Sequence, residues 1–381
     1  MRLKQPLIQK YLSFNLLYLF AALTQIGLIT ERDVMAQGYD VSNDPHNEIP
    51  SDDTVTLEQM VIDQQQKHDA MSAPRYMDIA TFMRLPLIVD PASYDLALIG
   101  VPYDGAVTNR PGARHGPREI RSASSMMRAI HPLTRLNPYE ALNVGDGGDV
   151  PFKEVYDPEA AHRDIEHFIS TFSEVGTQII AIGGDHSITL PVLRGLKCSE
   201  PLGLIHVDAH TDTWDEFMGS RYTHGAPFRR AVEEGLVDPK RTVQIGIRGA
   251  QNSTEGWDYS SETGMRVLFM HEVEQMGIEA VIEEARRVVG EGPIYLSFDI
   301  DSLDPAFAPG TGTPEAGGLT SREALQLLRG FRGVPLVGAD VVEVAPPFDP
   351  TRSTSALAAT VAYELICLMA QALDPASGEG T

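Results

Sequence analysis

Three short polar segments, each following an apolar and β-branched run, restrict the fold of this chain more than any other feature. They are GGDH (183–186), DAHTD (208–212) and DID (299–301), and the runs before them cover 178–182, 202–207 and 294–298. Continuous apolar runs of this length are typical of strands buried on both faces of a parallel sheet. Ligands bind outside the carboxyl ends of such strands. The sequence therefore predicts a three-layer α/β/α fold with a central, mainly parallel sheet and a site at the C-terminal strand ends.

These segments supply two imidazoles and four carboxylates. They are His186, Asp208, His210, Asp212, Asp299 and Asp301. Residues spaced by two along an extended chain point to one side, so the members of each segment are expected to face the same way. Clustered carboxylates repel one another and are rarely buried unless they are paired or bind a metal. The set predicts a two-metal hydrolase site. Solvated acidic loops and a single Mg²⁺ site are the alternatives.

The identity of the metal follows from the ligand types. Oxygen-rich sites that include some imidazole suit Mn²⁺ better than Zn²⁺, which favours thiolate and imidazole ligands. The two cysteines of the chain lie far from the polar segments in sequence. We therefore expect two Mn²⁺ ions, which would share a water molecule and lower its pKa.

Two further residues are candidates for proton transfer and for substrate binding. His224 follows the second polar segment through a short loop, and its ordinary pKa suits a proton shuttle, although a structural loop histidine is the alternative. Glu343 lies in the apolar run 337–345, which predicts another strand. A carboxylate at the end of that strand could receive a cationic substrate group.

With these residues in view, the chain resembles the ureohydrolase superfamily of arginases and agmatinases. The matching motifs are GGDHS (183–187), DAHTDT (208–213), HGAPFRRA (224–231), SFDIDSLDPAFAPGTGTPEAGG (297–318) and DVVEVAPPFD (340–349). The resemblance implies one metal held by His186, Asp208, Asp212 and Asp299, and a second held by Asp208, His210, Asp299 and Asp301. It also implies that a bridging hydroxide attacks a guanidinium carbon to give urea and an amine. His224 would move the proton, and Glu343 would pair with the guanidinium.

Within that superfamily the chain resembles the agmatinase and guanidino-acid hydrolase branch. Residues 214–222 (WDEFMGSRY) replace the polar Asn/Ser loop of arginases. Asn109 and His115 resemble enzymes for 4-guanidinobutyrate or 3-guanidinopropionate, whereas many agmatinases have Phe at both positions. We therefore predict that Asn109, Trp214 and Glu343 bind the substrate.

The charge of the substrate's tail stays open at this stage. Arg110, Arg114 and Arg221 could bind an acidic tail, whereas Asp215 or Glu216 could bind the amine of agmatine. Both sets of side chains are present, so charge alone does not choose between the substrates.

Other activities also remain open. Bulky Trp214 and Tyr222 could shorten the pocket for free guanidine, which some branch members with long N-terminal extensions hydrolyse using nickel. Ala226 stands where the branch usually has Thr, and this departure affects the substrate assignment rather than the chemistry. A formimino-group hydrolase and a metal-binding scaffold without catalysis are the remaining alternatives.

The net charge and the organisation of the chain limit its other properties. The 381 residues carry a formal net charge of −23, which argues against nucleic-acid binding, and two cysteines provide no disulfide framework. Residues 1–74 are predicted to be a partly flexible extension, and residues 75–381 a single catalytic domain. The apolar stretch 11–29 is a secretory signal, a membrane anchor, or part of a segment that is not made because Met35 is the true start. We expect a cytoplasmic enzyme with no membrane contact, and the resemblance implies a homotrimer or homohexamer.

Overall fold

The computed structural model describes residues 74–77 and 79–373. The three interpretations of the N-terminal stretch, and the flexibility predicted for residues 1–73, fall outside these residues.

One sheet of eight parallel strands forms the centre of the described part of the chain. The strands are β1 (Leu96–Gly100), β2 (Val144–Asp149), β3 (Gln178–Ile182), β4 (Leu202–Val207), β5 (Val237–Ile247), β6 (Arg266–Phe269), β7 (Ile294–Asp299) and β8 (Leu336–Val342). Their order in the sheet is β2-β1-β3-β8-β7-β4-β5-β6, and every paired neighbour is parallel. This arrangement confirms the predicted sheet. The run predicted as a strand over 337–345 ends earlier, at Val342.

Helices cover both faces of the sheet and complete three layers. They are α1 (Gly116–Ser124), α2 (Pro138–Ala141), α3 (Pro158–Ser173), α4 (Thr189–Leu196), α5 (Pro227–Glu233), α6 (Glu255–Thr263), α7 (Met270–Met276), α8 (Ile278–Val289), α9 (Ser321–Gly330) and α10 (Ser353–Leu373). Buried residues of α1, α7, α8, α9 and α10 form one hydrophobic core with the sheet. Those of α3, α4 and α5 form a second core on the opposite face.

The strands are continuously apolar because both of their faces are buried. In β1, Leu96 and Leu98 belong to the first core, whereas Ala97 and Ile99 belong to the second. Side chains alternate between the faces of a strand, so a sheet covered on both sides needs apolar residues at successive positions. For the same reason, a polar residue inside one of these strands departs from the expected pattern and indicates a specific role for that residue.

Among the helices that the structure describes, the last one, α10, is the longest, and it is strongly apolar. Its residues Ser353–Ala372 are long and apolar enough to cross a membrane by composition alone, but 78% of the most apolar window is buried within the protein. The helix packs against β8, α1 and α9. Such burial is typical of a core helix, whose apolar surface is covered by the rest of the domain.

Candidate metal centre

The predicted metal ligands follow β3, β4 and β7, and the predicted substrate-binding residue Glu343 follows β8; these four strands are neighbours at the centre of the sheet, in the order β3-β8-β7-β4. His186 follows β3, Asp208 follows β4, Asp299 ends β7, and Glu343 follows β8. The strands are parallel, so all four carboxyl ends lie at one edge. The fold thus brings together segments that are far apart in sequence.

Turns, rather than an extended backbone, make the ligand side chains converge. The chain bends after β4, and Asp212 has a φ of 52°, in the left-handed region. Asp301 lies in the 3-10 turn Ile300–Ser302, where its backbone N–H donates to Oδ1 of Asp299 at 2.7 Å. The expectation that two-residue alternation along an extended chain aligns these groups is therefore wrong. The strands end at or before the first carboxylate, and the backbone has to turn to bring the later ones back over the strand ends.

The first cluster is centred on His186, which is completely buried. Its Nδ1 lies 3.1 Å from Oδ2 of Asp208, 2.9 Å from Oδ2 of Asp212 and 3.2 Å from Oδ2 of Asp299. These are the four residues that the resemblance assigns to one metal. The structure brings all four together.

The second cluster shares Asp208 with the first. Nδ1 of His210 lies 3.1 Å from Oδ2 of Asp301 and 3.5 Å from Oδ1 of Asp208. On the other side of the imidazole, Nε2 lies 3.5 Å from Oε1 of Glu315. Thr313 donates to Oδ2 of Asp301 at 3.1 Å. A carboxylate or hydroxyl behind a ligand fixes its orientation.

The electrostatics of this centre are unfavourable without a cation. Burial, together with the nearby charges of Asp301 and Asp208, raises the pKa of Asp299 well above its usual value. Burial also raises the pKa of Asp301. Carboxylates that resist ionisation in this way share a site with too little positive charge.

A divalent cation fits the donor set of the first cluster. Nδ1 of His186 is buried and has no hydrogen-bond partner, although it faces three carboxylate oxygens about 3 Å away. Ligand atoms arranged octahedrally about 2.1 Å from one ion lie about 3 Å from each other. Imidazole nitrogen and carboxylate oxygen are ligands suited to Mn²⁺. His186, Asp208, Asp212 and Asp299 are therefore chemically and sterically able to hold one ion, and Asp208, His210 and Asp301 lie close enough together to hold a second.

Sequence reasoning missed a row of polar residues across four strands beneath these ligands. Gln244 pairs with His206, His206 with Ser297, and Ser297 with Asp340 in the register of β5, β4, β7 and β8. All four side chains are buried. The available signal was a polar residue inside an otherwise apolar strand, but neither the strand order nor the register can be read from the sequence.

His206 supports Asp208 from within β4. Its Nε2 lies 2.7 Å from Oδ2 of Asp208, and its Nδ1 accepts from Nε2 of Gln244 at 3.1 Å. The proton of the neutral ring is therefore on Nε2, which donates to Asp208. Burial opposes ionisation of Asp208, but the adjacent imidazoles of His206, His186 and His210 outweigh this effect and lower its pKa well below the usual value. His206 thus orients a ligand rather than competing with it.

Ser297 and Asp340 orient His186 in the same way. Nε2 of His186 lies 2.8 Å from Oγ of Ser297, which donates to Oδ1 of Asp340 at 2.7 Å. Asp340 also accepts from Thr189 and Tyr295 through Oδ2. Because Ser297 gives its own proton to Asp340, it accepts the proton on Nε2 of His186. This arrangement leaves Nδ1 of the neutral imidazole free to face the carboxylates.

His224 and Glu343 meet on the other side of the centre. Nδ1 of His224 lies 2.8 Å from Oε1 of Glu343, and both side chains line the same cavity. Burial lowers the pKa of His224, but the charges of Glu343, Asp185 and Asp212 outweigh it and raise the value to about 9. The φ of Glu343 is 63°, so the residue has left the strand that the sequence predicted around it.

A loop after β1 closes over His224. The backbone N–H of Thr108 donates to Nε2 of His224 at 3.1 Å, and the Thr108 hydroxyl lies 2.9 Å from the same nitrogen. A hydroxyl can donate to a neutral imidazole or accept from a protonated one. Asp185, another residue without a predicted role, holds this loop by accepting the N–H of Ala106 at 2.9 Å. Burial, followed by the charge of Glu343, raises the pKa of Asp185 to about 7.

The cavity above the ligands has a volume of about 170 Å³. Its ionisable lining residues are His210, Asp212, His224, Asp299, Asp301, Glu315 and Glu343. Trp214 also lines it and packs against Gly225, where an added Cβ would come within 2.7 Å of the indole ring. Glu315, Thr108 and Gln251 are lining residues that the sequence did not single out.

Several residues considered for the choice of substrate lie outside the cavity lining. Asn109 and His115 are exposed and outside the cavity lining, and Tyr222 packs against His162 within the second core. The three arginines considered for an acidic tail already interact with other side chains. Arg110 stacks on Phe348, Arg114 pairs with Asp104, and Arg221 pairs with Glu233 and Asp215. Among the described residues, no lysine or arginine lines the cavity.

Comparison with known proteins agrees with this geometry. The model of the Arginase family matches residues 94–368. Guanidinopropionase from Pseudomonas aeruginosa is 54% identical over 310 residues, which cover 81% of this chain and 97% of that protein. Guanidinobutyrase from the same organism is 46% identical over 300 residues, covering 78% and 94%. The solved structure of proclavaminate amidinohydrolase from Streptomyces clavuligerus superposes with a TM-score of 0.76 at 42% identity, covering 79% of this chain and all of that one.

Proposed function

We propose that this chain, which belongs to the arginase family, is a two-metal amidinohydrolase that converts the guanidino group of a small non-arginine substrate to urea and an amine. The observation that carries the proposal is the pair of clusters at the strand ends. They supply all six predicted ligands, with His224 and Glu343 beside them. Relatives of the same family act, by their names, on guanidinopropionate and guanidinobutyrate.

The proposed substrate is 3-guanidinopropionate, followed by 4-guanidinobutyrate and agmatine. The first choice rests on the 54% identity to a guanidinopropionase. The cavity agrees with a short substrate, because Trp214 forms part of its wall. The two acid substrates differ by one methylene group, which an apolar pocket discriminates by about 1–3 kcal/mol. Asn109 remains a proposed substrate-binding residue that would have to reach the cavity through movement of its loop.

The proposed cofactors are two Mn²⁺ ions, with Ni²⁺ as the alternative metal. His186, Asp208, Asp212 and Asp299 would hold one ion, and Asp208, His210, Asp299 and Asp301 the other. When bound, such a pair activates a water molecule near neutral pH and stabilises the negative charge that develops in hydrolysis. Cancellation of the carboxylate charges by the two ions also accounts for the burial of this acidic centre.

The chain's own residues would bind the substrate and move the proton. The Glu343 carboxylate accepts N–H groups of the planar guanidinium and fixes the orientation of its carbon. His224 lines the cavity, its Nε2 lies 2.9 Å from the Thr108 hydroxyl, and it delivers a proton to the departing amine. Trp214 excludes water from one side of the substrate.

A urea-release assay tests the function directly. The purified protein is loaded with Mn²⁺ or Ni²⁺ and given 3-guanidinopropionate, 4-guanidinobutyrate, agmatine, free guanidine and arginine in parallel. We expect one guanidino acid to be strongly preferred, with no turnover by the His224→Asn variant. Urea from free guanidine with Ni²⁺ alone would identify a guanidine hydrolase. Two bound metals without urea from any compound would favour a formimino-group hydrolase or a scaffold.

The assembly and compartment are proposed from the same family membership. We expect a homotrimer or homohexamer, which light scattering after size-exclusion chromatography measures. We expect the enzyme in the cytoplasm, which cell fractionation tests.

A further inference from the structure

Arg248 lies just after β5 and gives all of its described side-chain hydrogen bonds to backbone carbonyls. The guanidinium makes six such bonds to five carbonyl oxygens. The acceptors are Gly246 at 3.2 Å, Asp301 at 2.7 Å, Ser302 at 3.1 Å, Leu303 at 3.2 Å, and Glu315 at 3.2 and 2.7 Å. A cation in this environment would ordinarily be paired with a carboxylate. Its position next to the acidic centre therefore calls for an explanation.

The acceptors belong to the segments that carry the second cluster. Three of them are the consecutive carbonyls of residues 301–303, in and just after the 3-10 turn Ile300–Ser302 that contains Asp301. The double acceptor, Glu315, places its own side chain 3.5 Å from Nε2 of His210. On its backbone side, the N–H of Arg248 donates to the carbonyl of Ala209 at 2.8 Å. One residue thus connects the segment of His210 to the segment of Asp301.

The shape of guanidinium explains why an arginine is needed here. Five N–H donors in one plane can satisfy carbonyls that converge from several directions, whereas the three donors of a lysine sit on a single atom. Arg248 also fits tightly, because a Cβ on Gly318 would come within 2.4 Å of its Nη2. The positions of the guanidinium and of the turn after β7 are therefore coupled.

We propose that Arg248 is a positioning residue for the second metal, which it serves by holding the backbone carbonyls of Asp301, Glu315 and Ala209 so that the side chains of Asp301 and His210 close on one ion. This inference rests on the proposed two-metal function. It predicts a selective effect, because the guanidinium bonds the carbonyls of residues 301–303 and Glu315 and none in the segments that carry His186 and Asp212.

The same strand offers a matched control. Arg241 lies in β5, toward the opposite end, and donates to the carbonyls of Val289 at 2.8 Å and Pro293 at 3.4 Å. It is also partly buried and also holds backbone carbonyls, but none of them belongs to a ligand segment. Arg241→Lys therefore removes side-chain hydrogen bonds to backbone carbonyls in the same way, but away from the segments that carry the metal ligands.

The experiment compares wild type, Arg248→Lys and Arg241→Lys. Bound Mn²⁺ is counted by elemental analysis, the two affinities are measured by isothermal titration calorimetry, and thermal unfolding is followed with and without chelator. We expect wild type and R241K to bind two ions. R248K should keep the first ion and bind the second 10- to 100-fold more weakly, as expected when a group that orients a ligand is removed.

A second variant covers the case in which R248K does not fold. Gly318→Ala keeps the arginine but places a Cβ 2.4 Å from its Nη2 and 2.6 Å from the backbone nitrogen of Asp304, so the guanidinium and the turn after β7 have to move apart, and the second ion should be weakened in the same direction. If R248K bound both ions with the affinities of wild type, the inference would be overturned. An equal loss of affinity for the two ions would also overturn it. So would misfolding of both variants while R241K folds, because Arg248 would then be a general structural residue. Failure of wild type to bind two ions would instead refute the proposed function.

Discussion

Oε1 of Glu343 accepts two hydrogen bonds, from Nδ1 of His224 at 2.8 Å and from the backbone N–H of His186 at 2.9 Å. A single carboxylate oxygen therefore links the proposed proton shuttle to the backbone of a proposed metal ligand. A change at Glu343 should affect substrate orientation and proton transfer together.

Glu343→Gln should abolish most urea release while the protein stays folded. The amide is neutral, so it no longer pairs with the guanidinium, and it cannot stabilise a protonated His224. Loss of a positioned proton-transfer group typically reduces the rate by about 10²- to 10⁴-fold. The measurement is kcat for the preferred substrate at saturating metal. Glu364→Gln is the matched control, since Glu364 is a buried glutamate 3.2 Å from His131 outside the cavity. Wild-type kcat in E343Q would contradict the assigned role.

The pKa of His224 predicts a pH dependence for the metal-free protein. The value is raised from 6.5 to about 9, because the nearby carboxylates outweigh the effect of burial. A raised folded-state pKa contributes stability that is complete below pH 6.5 and is lost as the pH rises through about 9. We expect the stability difference between wild type and His224→Asn to shrink by on the order of 3 kcal/mol over this range. Urea unfolding in chelator at pH 6 and pH 10 measures it, and a difference that grows with pH would refute the assignment.

Removal of one ligand should have opposite effects with and without metal. In the metal-free protein, Asp301→Asn relieves repulsion in a centre where burial and neighbouring charges raise the pKa of Asp299 well above its usual value. We therefore expect the variant to melt at a higher temperature than wild type in chelator. With Mn²⁺, wild type should gain about 2.7 kcal/mol at a free metal concentration of 100 times Kd, and the variant less. Thermal unfolding of wild type and Asp301→Asn is measured in chelator and with Mn²⁺. If Mn²⁺ raised the melting temperature of the two proteins equally, Asp301 would not be a ligand.

The sequence predicted the sheet and the ligand set for a physical reason. Parallel strands buried on both faces are continuously apolar, and their carboxyl ends lie at one edge of the sheet, so carboxylates following such runs are expected at that edge and converge where the strands are neighbours. His186 and Asp301 could be placed in this way without knowing the strand order. The conformation beyond the strands could not be predicted, because Asp212 and Glu343 take left-handed backbone angles that depend on the turns around them.

The supporting residues were beyond sequence reasoning because their contacts cross strands. Ser297 and Asp340 are separated by 43 positions and meet only because β7 and β8 are neighbours in a particular register. Charged residues in loops posed a different difficulty. Arg114 and Arg221 had been considered for the substrate's tail, but each already has a carboxylate partner. Composition cannot reveal which charges are already paired.

The hydrogen bond between Ser297 and His186 gives the last prediction. Ser297→Ala removes the acceptor for Nε2 of His186, so the imidazole loses the contact that keeps Nδ1 directed at the carboxylates. We expect the affinity of the first metal to fall about 10- to 100-fold, with the second metal less affected. Thr189→Val is the control, because the Thr189 hydroxyl donates to Asp340 at 2.7 Å, whereas the hydrogen bond that Thr189 gives to the carbonyl of His186 comes from its backbone N–H and is kept by valine.

Calorimetric titration of both variants with Mn²⁺ separates the effect of the orientation of His186 from the effect of the buried charge of Asp340. Thr189→Val should lower thermal stability, because it leaves one oxygen of buried Asp340 with a hydrogen bond fewer, but it should bind the first ion as wild type does. If the two variants lose metal affinity equally, the buried charge of Asp340 controls the site and the orientation of His186 does not. If only Ser297→Ala loses affinity, the serine holds the histidine in the tautomer that binds metal.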